Sequence, residues 1–514
     1  MDSVWRDRDT HRTMGEVVGS RGQVRRERSA GNGGRDDALL GELRAVCGST
    51  YVYIGDRLDD YRHDATFMEG SPLAAVLPGS PDEVAAVVRL CASHGLAVTA
   101  RGSGTGLAGG PVPLAGGIVL GLERLNSIEI DPHNLCAVAG AGAITGDIQS
   151  EAAKHGLMYP PDPASASMST IGGNVACNSG GMSCLKYGVT ADYVIGLTVV
   201  LADGRLLNLG GRVRKRASGY RLASLFVGSE GTLGVITEVT LKLVPLPRER
   251  ATAVVGFDHL DAAAQGIRTL LVSGYLPSAL ELIDRAALNL IGDLLPPGLD
   301  LGLEAMVIVE QDGSDAEQVQ VEVQRMVVIL GGADNRVAQS SAEREGLWRM
   351  RRQFGHALLA MRTNFFSEDV AVPISQIPEM VRRLSATAER AGVQIATVGH
   401  AGDGNLHPTI IFSDEQRALV GPMAASIFRD AIELGGTISA EHGLGALKRD
   451  HAVLEHGADA IGLMRQLKTL LDPQGILNPN KILPIHPADD GFLERQPGWG
   501  MKLSSGRERS ELGA

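Results

Sequence analysis

The sequence has 514 residues, of which 44% are hydrophobic and 21% are charged, and its formal net charge at pH 7 is −12. These proportions are typical of a folded globular protein, and they exclude a disordered chain, a collagen-like repeat and a small disulfide scaffold. The acidic excess provides no general positive surface for a polyanion, so nucleic acid is not expected as a partner.

Cysteine usage and the absence of an apolar span favour a cytoplasmic location. The five cysteines contain no CxxC pair and end before residue 185, so neither a disulfide framework nor an iron–sulfur cluster is indicated. The uncharged stretch 102–122 contains eight glycines and two prolines, which a membrane span avoids. Residues 1–36 lack the apolar centre of a signal peptide and are predicted to be a disordered leader.

A first folded unit is predicted over residues 37–247. Its first helix begins near Asp36, and a second helix begins after Ser80, where an N-cap serine and Pro81 precede an apolar period that ends at Gly95. From residue 96 to residue 244, short β-rich runs alternate with glycine-rich turns and brief helices. This texture indicates an α+β domain with many strands.

A second unit is predicted over residues 248–484. Strands at 305–313 and 396–400 alternate with long amphipathic helices at 259–274 and 376–392. Residues 485–514 are polar and aperiodic, and we expect them to form a flexible tail.

The segment RGSGTGLAGG, residues 101–110, contains a GxGxxG pattern. The prolines and glycines that follow oppose the helix that a Rossmann dinucleotide site requires. Successive N–H groups of small residues can instead surround a pyrophosphate, with Arg101 as a neighbouring charge. Glycine-dense segments at 160–181 and 225–238, together with NPNKILP at 478–484, indicate a site built from several loops; a glycine-rich turn cluster without a ligand is the alternative.

The segment VGHAGDGNLH suggests a hairpin. If Asp403 and Gly404 form a two-residue loop, His400 lies directly opposite His407, and two cross-strand imidazoles can share one divalent metal. The segment SAEHG, residues 439–443, adds a carboxylate beside an imidazole, and two histidines with one carboxylate are a common ligand set of catalytic metals. A histidine pair that only caps the hairpin is the alternative.

Together these motifs carry a family resemblance. The first unit resembles the flavin-binding domain of the vanillyl-alcohol oxidase/p-cresol methylhydroxylase fold, in the segments PGS, RGSGTGLAGG, PDPAS, STIGGNVACNSGG, KYG, GLTVVLADG and GSEGTLGVITEVTLKL. The second unit resembles the cap of the FAD-linked D-2-hydroxy-acid dehydrogenases, in HAGDGNLH, SAEHGLG and LLDPQGILNPNKIL. The resemblance implies an α+β fold in which a two-part FAD-binding domain precedes a cap with an antiparallel sheet. It also implies FAD-dependent oxidation of a D-2-hydroxy acid.

The resemblance places the FAD pyrophosphate on residues 101–110 and the isoalloxazine near 161–173 and 230–236. Relatives with a covalently bound flavin carry a histidine at the position of Thr105, so non-covalent FAD is expected; His63 is a far weaker candidate for a covalent anchor. The residues expected to contact FAD are Pro78, Arg101, Gly102, Ser103, Gly104, Thr105, Gly106, Gly109, Gly110, Pro161, Asp162, Ser169, Thr170, Gly172, Gly173, Asn178, Gly181, Glu230, Gly234, Val235, Ile236 and Asn480.

The resemblance also assigns the reacting groups. It implies that His400, His407 and Glu441 bind a divalent metal, that His442 is the base, and that Arg351 binds the substrate carboxylate. Zinc, manganese and iron all accept two histidines and one carboxylate. Arg351 is predicted on a helix with Arg349 and Arg352, at least one of which we expect in solvent.

Relatives specific for D-2-hydroxyglutarate carry a threonine and a lysine at positions that match Gly355 and Ser367. Their absence, with Glu368 expected to repel a second carboxylate, favours D-lactate or glycolate as the substrate; a cation from elsewhere would restore D-2-hydroxyglutarate. A dioxygen-using alcohol oxidase and the flavin subunit of a glycolate dehydrogenase complex are alternatives. The expected electron acceptor is a quinone, an electron-transfer protein or an iron–sulfur subunit, through which the protein could be held at a membrane; a homodimer is compatible with the sequence.

Overall fold

The computed structural model describes residues 33–66, 68–292, 302–361 and 364–496. Residues 1–32 of the predicted leader lie outside this part, and residues 33–36 already belong to the first helix. The predicted tail also differs from expectation. Its first part packs against the second unit, where Phe492 and Leu493 are fully buried, and residues 497–514 lie outside the described residues.

The helices of the described residues lie mostly in the second half of the chain. They are α1 (Gly33–Cys47), α2 (Pro81–His94), α3 (Thr145–Ala153), α4 (Ile171–Cys177), α5 (Cys184–Tyr187), α6 (Leu260–Val272), α7 (Arg285–Leu290), α8 (Ala316–Leu330), α9 (Ser341–Arg352), α10 (Phe354–Ala360), α11 (Ile377–Ala391), α12 (Arg417–Glu433) and α13 (Ala452–Leu471). None of them has the length and apolar character that a membrane span requires.

The strands are short in the first unit and longer in the second. They are β1 (Val52–Tyr53), β2 (Ala74–Val76), β3 (Val98–Arg101), β4 (Ile118–Gly121), β5 (Ile128–Asp131), β6 (Cys136–Gly140), β7 (Leu157–Met158), β8 (Val194–Val200), β9 (Leu206–Gly210), β10 (Val235–Lys242), β11 (Val244–Pro245), β12 (Glu249–Phe257), β13 (Ala279–Asp284), β14 (Ala305–Gly313), β15 (Asp334–Val337), β16 (Asn364–Ser367), β17 (Val370–Ala371), β18 (Gln394–His400) and β19 (Asn405–Phe412).

The first unit contains two principal sheets that share one core. One sheet has the order β1-β2-β4-β3 and the other β5-β6-β10-β8-β9. The predicted helix after Ser80 is confirmed as α2, because the Ser80 hydroxyl accepts the Glu83 N–H and Gly95 ends the helix at φ +63°. The unit is therefore a two-part α+β domain, as predicted.

The second unit is built on one antiparallel sheet with the order β15-β12-β14-β13-β18-β19-β16, and β17 also pairs with β19. Alternate residues of β14 enter two different cores: Val307 and Val309 pack in one, and Met306 and Ile308 in the other. Successive side chains of a strand point to opposite faces, so both faces of this sheet are covered. This burial explains the unbroken apolar run of the strand.

The end of the second unit returns to the first. The Val98 N–H donates to the Ile476 carbonyl and the Asn478 N–H donates to the Val98 carbonyl, both at 2.8 Å. The Lys481 ammonium donates to the carbonyl oxygens of Gly109 and Val112 at 2.6 and 2.7 Å. Residues 476–482 therefore hold β3, which precedes the predicted pyrophosphate loop, and residues 109–112, which end it.

The burial of Lys481 leads us to expect that the stability of the protein depends on pH. Burial lowers the pKa of Lys481 to about 7 from its ordinary 10.5. Between these values the unfolded chain binds one more proton than the folded chain, so the free energy of unfolding should rise with pH, by at most about 1.4 kcal/mol per pH unit. Urea unfolding at pH 7 and pH 9 should show a smaller rise in Lys481→Met than in the unsubstituted protein. Lys154→Met, which removes an exposed lysine, is the control. Equal pH slopes for the Lys481→Met and unsubstituted proteins would contradict the prediction.

Candidate active site

The hairpin between β18 and β19 carries the two predicted metal-binding histidines, but its predicted register is wrong. His400 pairs with Asn405, and the loop spans the four residues 401–404. The Asp403 N–H donates to the His400 carbonyl at 3.2 Å, so the tight turn begins two residues earlier than expected. Gly404, the last residue of the loop, has φ +87° and lies against the backbone carbonyl of Val372, so a side chain is excluded there.

The two imidazoles nevertheless meet. His407 lies opposite Val398, which is two residues before His400 and therefore on the same face of the sheet. Diagonal neighbours on antiparallel strands remain within reach of long side chains. The ring centroids of His400 and His407 are 5.0 Å apart, so the structure brings the predicted pair together by a different register.

The loop 439–445 supplies Glu441 and His442, and two buried carboxylates hold its backbone. The Asp369 Oδ2 atom accepts the N–H groups of residues 440, 441 and 442 at 2.9–3.0 Å and the Ser439 hydroxyl at 3.0 Å. The Glu230 Oε1 atom accepts the N–H groups of residues 444 and 445 at 2.9 and 3.0 Å. Since Glu230 belongs to the first unit, the loop is fixed from both units.

One oxygen of Glu441 is the centre of a cluster of three imidazoles. Its Oε1 atom lies 3.5, 3.4 and 3.7 Å from the Nε2 atoms of His400, His407 and His442. Ligands bound to one tetrahedral metal through bonds of ~2.1 Å lie about 3.4 Å apart, so the first two separations are those of ligands that share an ion. Ligand atoms of Asp369, His407, Glu441 and His442 also lie within 4.8 Å of one another.

A carboxylate that the sequence interpretation missed lies behind His400. Glu281, on β13, is fully buried; its Oε1 atom is 2.6 Å from His400 Nδ1, and its Oε2 atom accepts the Arg351 Nε–H at 2.8 Å. Second carboxylates of this kind fix the orientation of metal-binding imidazoles. The signal that could have identified it is a glutamate inside the apolar run ALELI, because an ionised group is buried there only with partners.

The electrostatics of the cluster favour a neutral His407 and an ionised Glu441, whereas His400 must lose a proton before it can bind a metal ion. Burial lowers the pKa of His407 to about 3, which keeps its ring neutral at pH 7. Burial opposes ionisation of Glu441, but the neighbouring imidazoles outweigh it and lower the pKa of Glu441 to about 2. Burial also disfavours charge on His400, yet the carboxylates of Glu281 and Glu441 raise its pKa well above 6.5. An anionic oxygen and imidazole nitrogens are the donors that zinc, manganese and iron accept.

The predicted pyrophosphate loop has free backbone donors. Among the described residues, no acceptor receives the N–H groups of residues 103–107. Arg101 lies directly against this loop, with its buried guanidinium close to Gly104, and it donates to the carbonyl oxygens of Asp60 and His63 at 2.7 Å each. Arg101 therefore connects the loop to residues 60–63, and the N–H groups of residues 103–107 remain available to an anionic ligand.

The predicted FAD loops contact one another and a predicted metal ligand. The Ser103 hydroxyl donates to the Met168 carbonyl at 2.5 Å, which joins loop 101–110 to segment 160–181. A side chain at Gly180 would lie 2.8 Å from the Glu441 Oε2 atom. The glycine-dense segment 160–181 therefore lies directly against the predicted metal ligand Glu441.

Several other predicted FAD residues have clear packing roles. Gly234 packs against Val199 and Phe226. Pro78, Val235 and Ile236 are buried. The carbonyl of Asn480 accepts Arg449, and it is Asn478 whose amide reaches the carbonyl oxygens of Gly110 and Glu230.

The remaining predicted FAD residues lie in the loops and at the ends of helices. Asp162 binds the N–H and hydroxyl of Ser183, and burial raises the pKa of Asp162 to about 6. Ser169 and Thr170 lie before α4, whose first turn contains Gly172 and Gly173. Asn178 ends α4, and its side-chain oxygen accepts the Ala191 N–H.

The substrate-side predictions have mixed outcomes. Arg351 lies on α9 beside Glu281 and is largely buried, whereas Arg349 and Arg352 are exposed, as expected for at least one of them. The expected repulsion by Glu368 is wrong, because this residue is fully buried and pairs with Lys448 at 2.9 Å. The Ser367 hydroxyl shares a hydrogen bond with Thr409 at 2.8 Å.

Comparison with known proteins identifies both units. Residues 72–210 match the family described as FAD binding domain, and residues 246–482 match FAD linked oxidases, C-terminal domain. The chain is 41% identical over 430 residues to the glycolate oxidase subunit GlcD of Bacillus subtilis, covering 82% of this chain and 91% of that protein. It is 36% identical over 450 residues to a D-lactate dehydrogenase of Anaerostipes hadrus, covering 84% and 94%.

The fold has solved counterparts. The structure of p-cresol methylhydroxylase with substrate bound superimposes with a TM-score of 0.72 at 17% identity, covering 88% of this chain and 98% of that one. Sequence and fold together show that the chain is an FAD-dependent oxidoreductase. It belongs to the family of FAD-linked oxidases and dehydrogenases that includes the glycolate oxidase subunit GlcD and D-lactate dehydrogenases, and it shares the fold of p-cresol methylhydroxylase.

Proposed function

We propose that the protein oxidises a D-2-hydroxy acid with a single carboxylate, D-lactate or glycolate, to the 2-keto acid. The observation that carries this proposal is that Arg351 and the His400–His407–Glu441 cluster share the buried carboxylate of Glu281, beside a loop predicted to contact the flavin. A cation for a carboxylate and a site for a hydroxyl oxygen are the two features that a 2-hydroxy acid needs. The names of the relatives from B. subtilis and A. hadrus agree with this class.

Arg351 binds the substrate carboxylate in this proposal. Its Nε–H is used by Glu281, which leaves the two terminal nitrogens of the guanidinium to donate to the substrate. The orientation of the Arg351 guanidinium is set before substrate binds, because one oxygen of Glu281 accepts its Nε–H and the other is held by His400. The exposed Arg352 pairs with Glu345 and has no such position.

His400, His407 and Glu441 would hold a divalent metal, which would lower the pKa of the substrate hydroxyl. His442, next in sequence to Glu441, takes the hydroxyl proton. Non-covalent FAD supplies the acceptor for the hydride that leaves C2 as the carbonyl forms. The free N–H groups of residues 103–107 bind its pyrophosphate, and the support of that loop by Arg101 and Lys481 keeps it in place.

The electrons leave through a quinone, an electron-transfer protein or an iron–sulfur subunit in this proposal. One observation favours the last: the B. subtilis relative is named as a subunit of glycolate oxidase. D-2-hydroxyglutarate is the alternative substrate, since the pairing of Glu368 with Lys448 removes the predicted repulsion. A cytoplasmic location and a homodimer are part of the same proposal.

Anaerobic reduction of the bound flavin tests the proposed activity. The flavin of the metal-loaded protein should bleach with D-lactate or glycolate, and a chelator should abolish the reaction.

Arg351→Met should lower kcat/KM by about 10- to 100-fold because a charged hydrogen-bonded pair is lost, whereas Arg352→Met on the same helix should change kcat/KM little. His442→Ala should lower kcat by at least about 100-fold. A flavin that no 2-hydroxy acid reduces would contradict the proposal.

Gly180→Ala tests the contact between the flavin segment and the metal cluster. The added methyl group would lie 2.8 Å from Glu441 Oε2. A flexible carboxylate moves away at small cost, so we expect a loss of less than about 1 kcal/mol in unfolding free energy but a roughly tenfold weaker affinity for Zn²⁺ in chelator competition. Gly346→Ala, where a methyl group meets no atom within 4 Å, is the control. Unchanged Zn²⁺ affinity in Gly180→Ala would show that the contact does not position Glu441.

A further inference from the structure

We propose that Asp369 is a positioning residue: one of its oxygens fixes the loop that carries Glu441 and His442, and the other selects the nitrogen that His407 presents to the metal. The inference rests on the metal site of the proposed function. It concerns a residue that the sequence motifs did not single out, in the short gap between β16 and β17.

The strand register places Asp369 behind His407. Ser367 pairs with Thr409 and Val370 pairs with Leu406, both on β19, so the intervening Asp369 falls opposite His407. Directly opposed side chains on neighbouring strands are close in space. The carboxylate is fully buried, and a buried charge is tolerated only where hydrogen bonds compensate for lost water.

The Oδ2 atom of Asp369 has this compensation. It accepts three consecutive N–H groups, those of residues 440–442, and the hydroxyl of Ser439, all at 2.9–3.0 Å. Consecutive N–H groups that converge on one anion form a concave nest whose backbone conformation the anion fixes. Because Glu441 and His442 belong to this nest, Asp369 fixes the backbone positions from which their side chains extend.

The Oδ1 atom faces His407. It lies 3.8 Å from His407 Nδ1, and neither atom has a hydrogen-bond partner within the described part of the chain although both are buried. A carboxylate oxygen and an imidazole N–H are complementary, and a ring shift of less than about 1 Å would bring them into a hydrogen bond. A proton on Nδ1 leaves the Nε2 lone pair, 3.4 Å from Glu441 Oε1, for the metal.

The same geometry argues against Asp369 as a direct metal ligand. Its Oδ2 atom already accepts four donors, and its Oδ1 atom lies near His407 Nδ1, whereas it is the other ring nitrogen, Nε2, that lies 3.4 Å from Glu441 Oε1. Lys448 strengthens the placement, since its ammonium donates to the Asp369 carbonyl at 3.1 Å and to the Ile438 carbonyl at 3.0 Å. Lys448 therefore holds the backbone of Asp369 and the backbone at the start of the loop in a fixed relation.

Asp369→Asn tests the inference. The amide keeps the size of the side chain and can still accept from the loop with its oxygen, but it then presents an N–H donor to His407 Nδ1. His407 should change to the tautomer with the proton on Nε2, which blocks coordination. We expect Zn²⁺ affinity in chelator competition to fall by about 10- to 100-fold, and the visible spectrum of the Co²⁺-substituted protein to change.

Asp284→Asn is the matched control. Asp284 is also a buried carboxylate of the second unit that accepts two backbone N–H groups, those of Ala287 and Thr397, but it lies outside the cluster. Its substitution should lower stability and leave Zn²⁺ affinity unchanged. Ser439→Ala, which removes a hydroxyl that lies 3.0 Å from both Asp369 Oδ2 and the Gly443 carbonyl, provides a milder variant and should weaken Zn²⁺ binding several-fold.

A second readout does not depend on metal binding. Proton-coupled ¹⁵N spectra of histidine-labelled, metal-free protein should show His407, assigned by His407→Gln, with its proton on Nδ1 in the unsubstituted protein and on Nε2 in Asp369→Asn. Unsubstituted protein that binds no Zn²⁺ would overturn the proposed metal site, and the tautomer comparison would still decide the role of Asp369. Zn²⁺ affinity within twofold and the same tautomer in both proteins would overturn the inference.

Discussion

The burial of carboxyl side chains where the two units meet is the constraint on which this structure depends. Glu230, Glu281 and Asp369 are all buried, and each accepts hydrogen bonds from specific donors of the folded chain. Two of them hold the loop 439–445 and the third joins Arg351 to His400. The positions of the proposed reacting groups therefore follow from the hydrogen bonds that these buried carboxyl groups require.

At the junction, each unit also contributes side chains to the hydrophobic core of the other. Ile476 and Leu477 pack in the core of the first unit, while Met68 and Val112 pack in the core of the second. Because each unit contributes residues to the core of the other, the loop 101–110 and the cluster around Glu441 keep a fixed relation. Such an arrangement suits a reaction in which hydride must pass between groups held by different units.

Much of this arrangement was predictable from local pattern. The cap at Ser80, the amphipathic α6 and α11 and the apolar strand β14 follow from periodicity and end signals, and all are confirmed. The hairpin register was not predictable, because a four-residue loop and a two-residue loop both fit Asp-Gly, and the contact of Gly404 with the backbone of Val372 is non-local. Both registers bring the imidazoles within reach of one ion.

The tertiary partners of charged residues were the part that sequence could not provide. Arg101 turns toward the carbonyl oxygens of Asp60 and His63, and Glu368 turns toward Lys448, because each buried charge takes the nearest available partner in the folded chain. Asp369 follows Glu368 in sequence, but successive side chains of an extended chain point to opposite sides. Glu368 therefore pairs with Lys448, and Asp369 lies beside His407.

Anomalous diffraction from crystals grown with Zn²⁺ tests the central claim most directly. The account predicts a peak at the zinc edge within about 2.0–2.3 Å of the Nε2 atoms of His400 and His407 and of a Glu441 carboxylate oxygen. Saturating Zn²⁺ with no peak at this position, in crystals where the side chains are ordered, would contradict the claim that the junction of the two units is a metal-dependent active site.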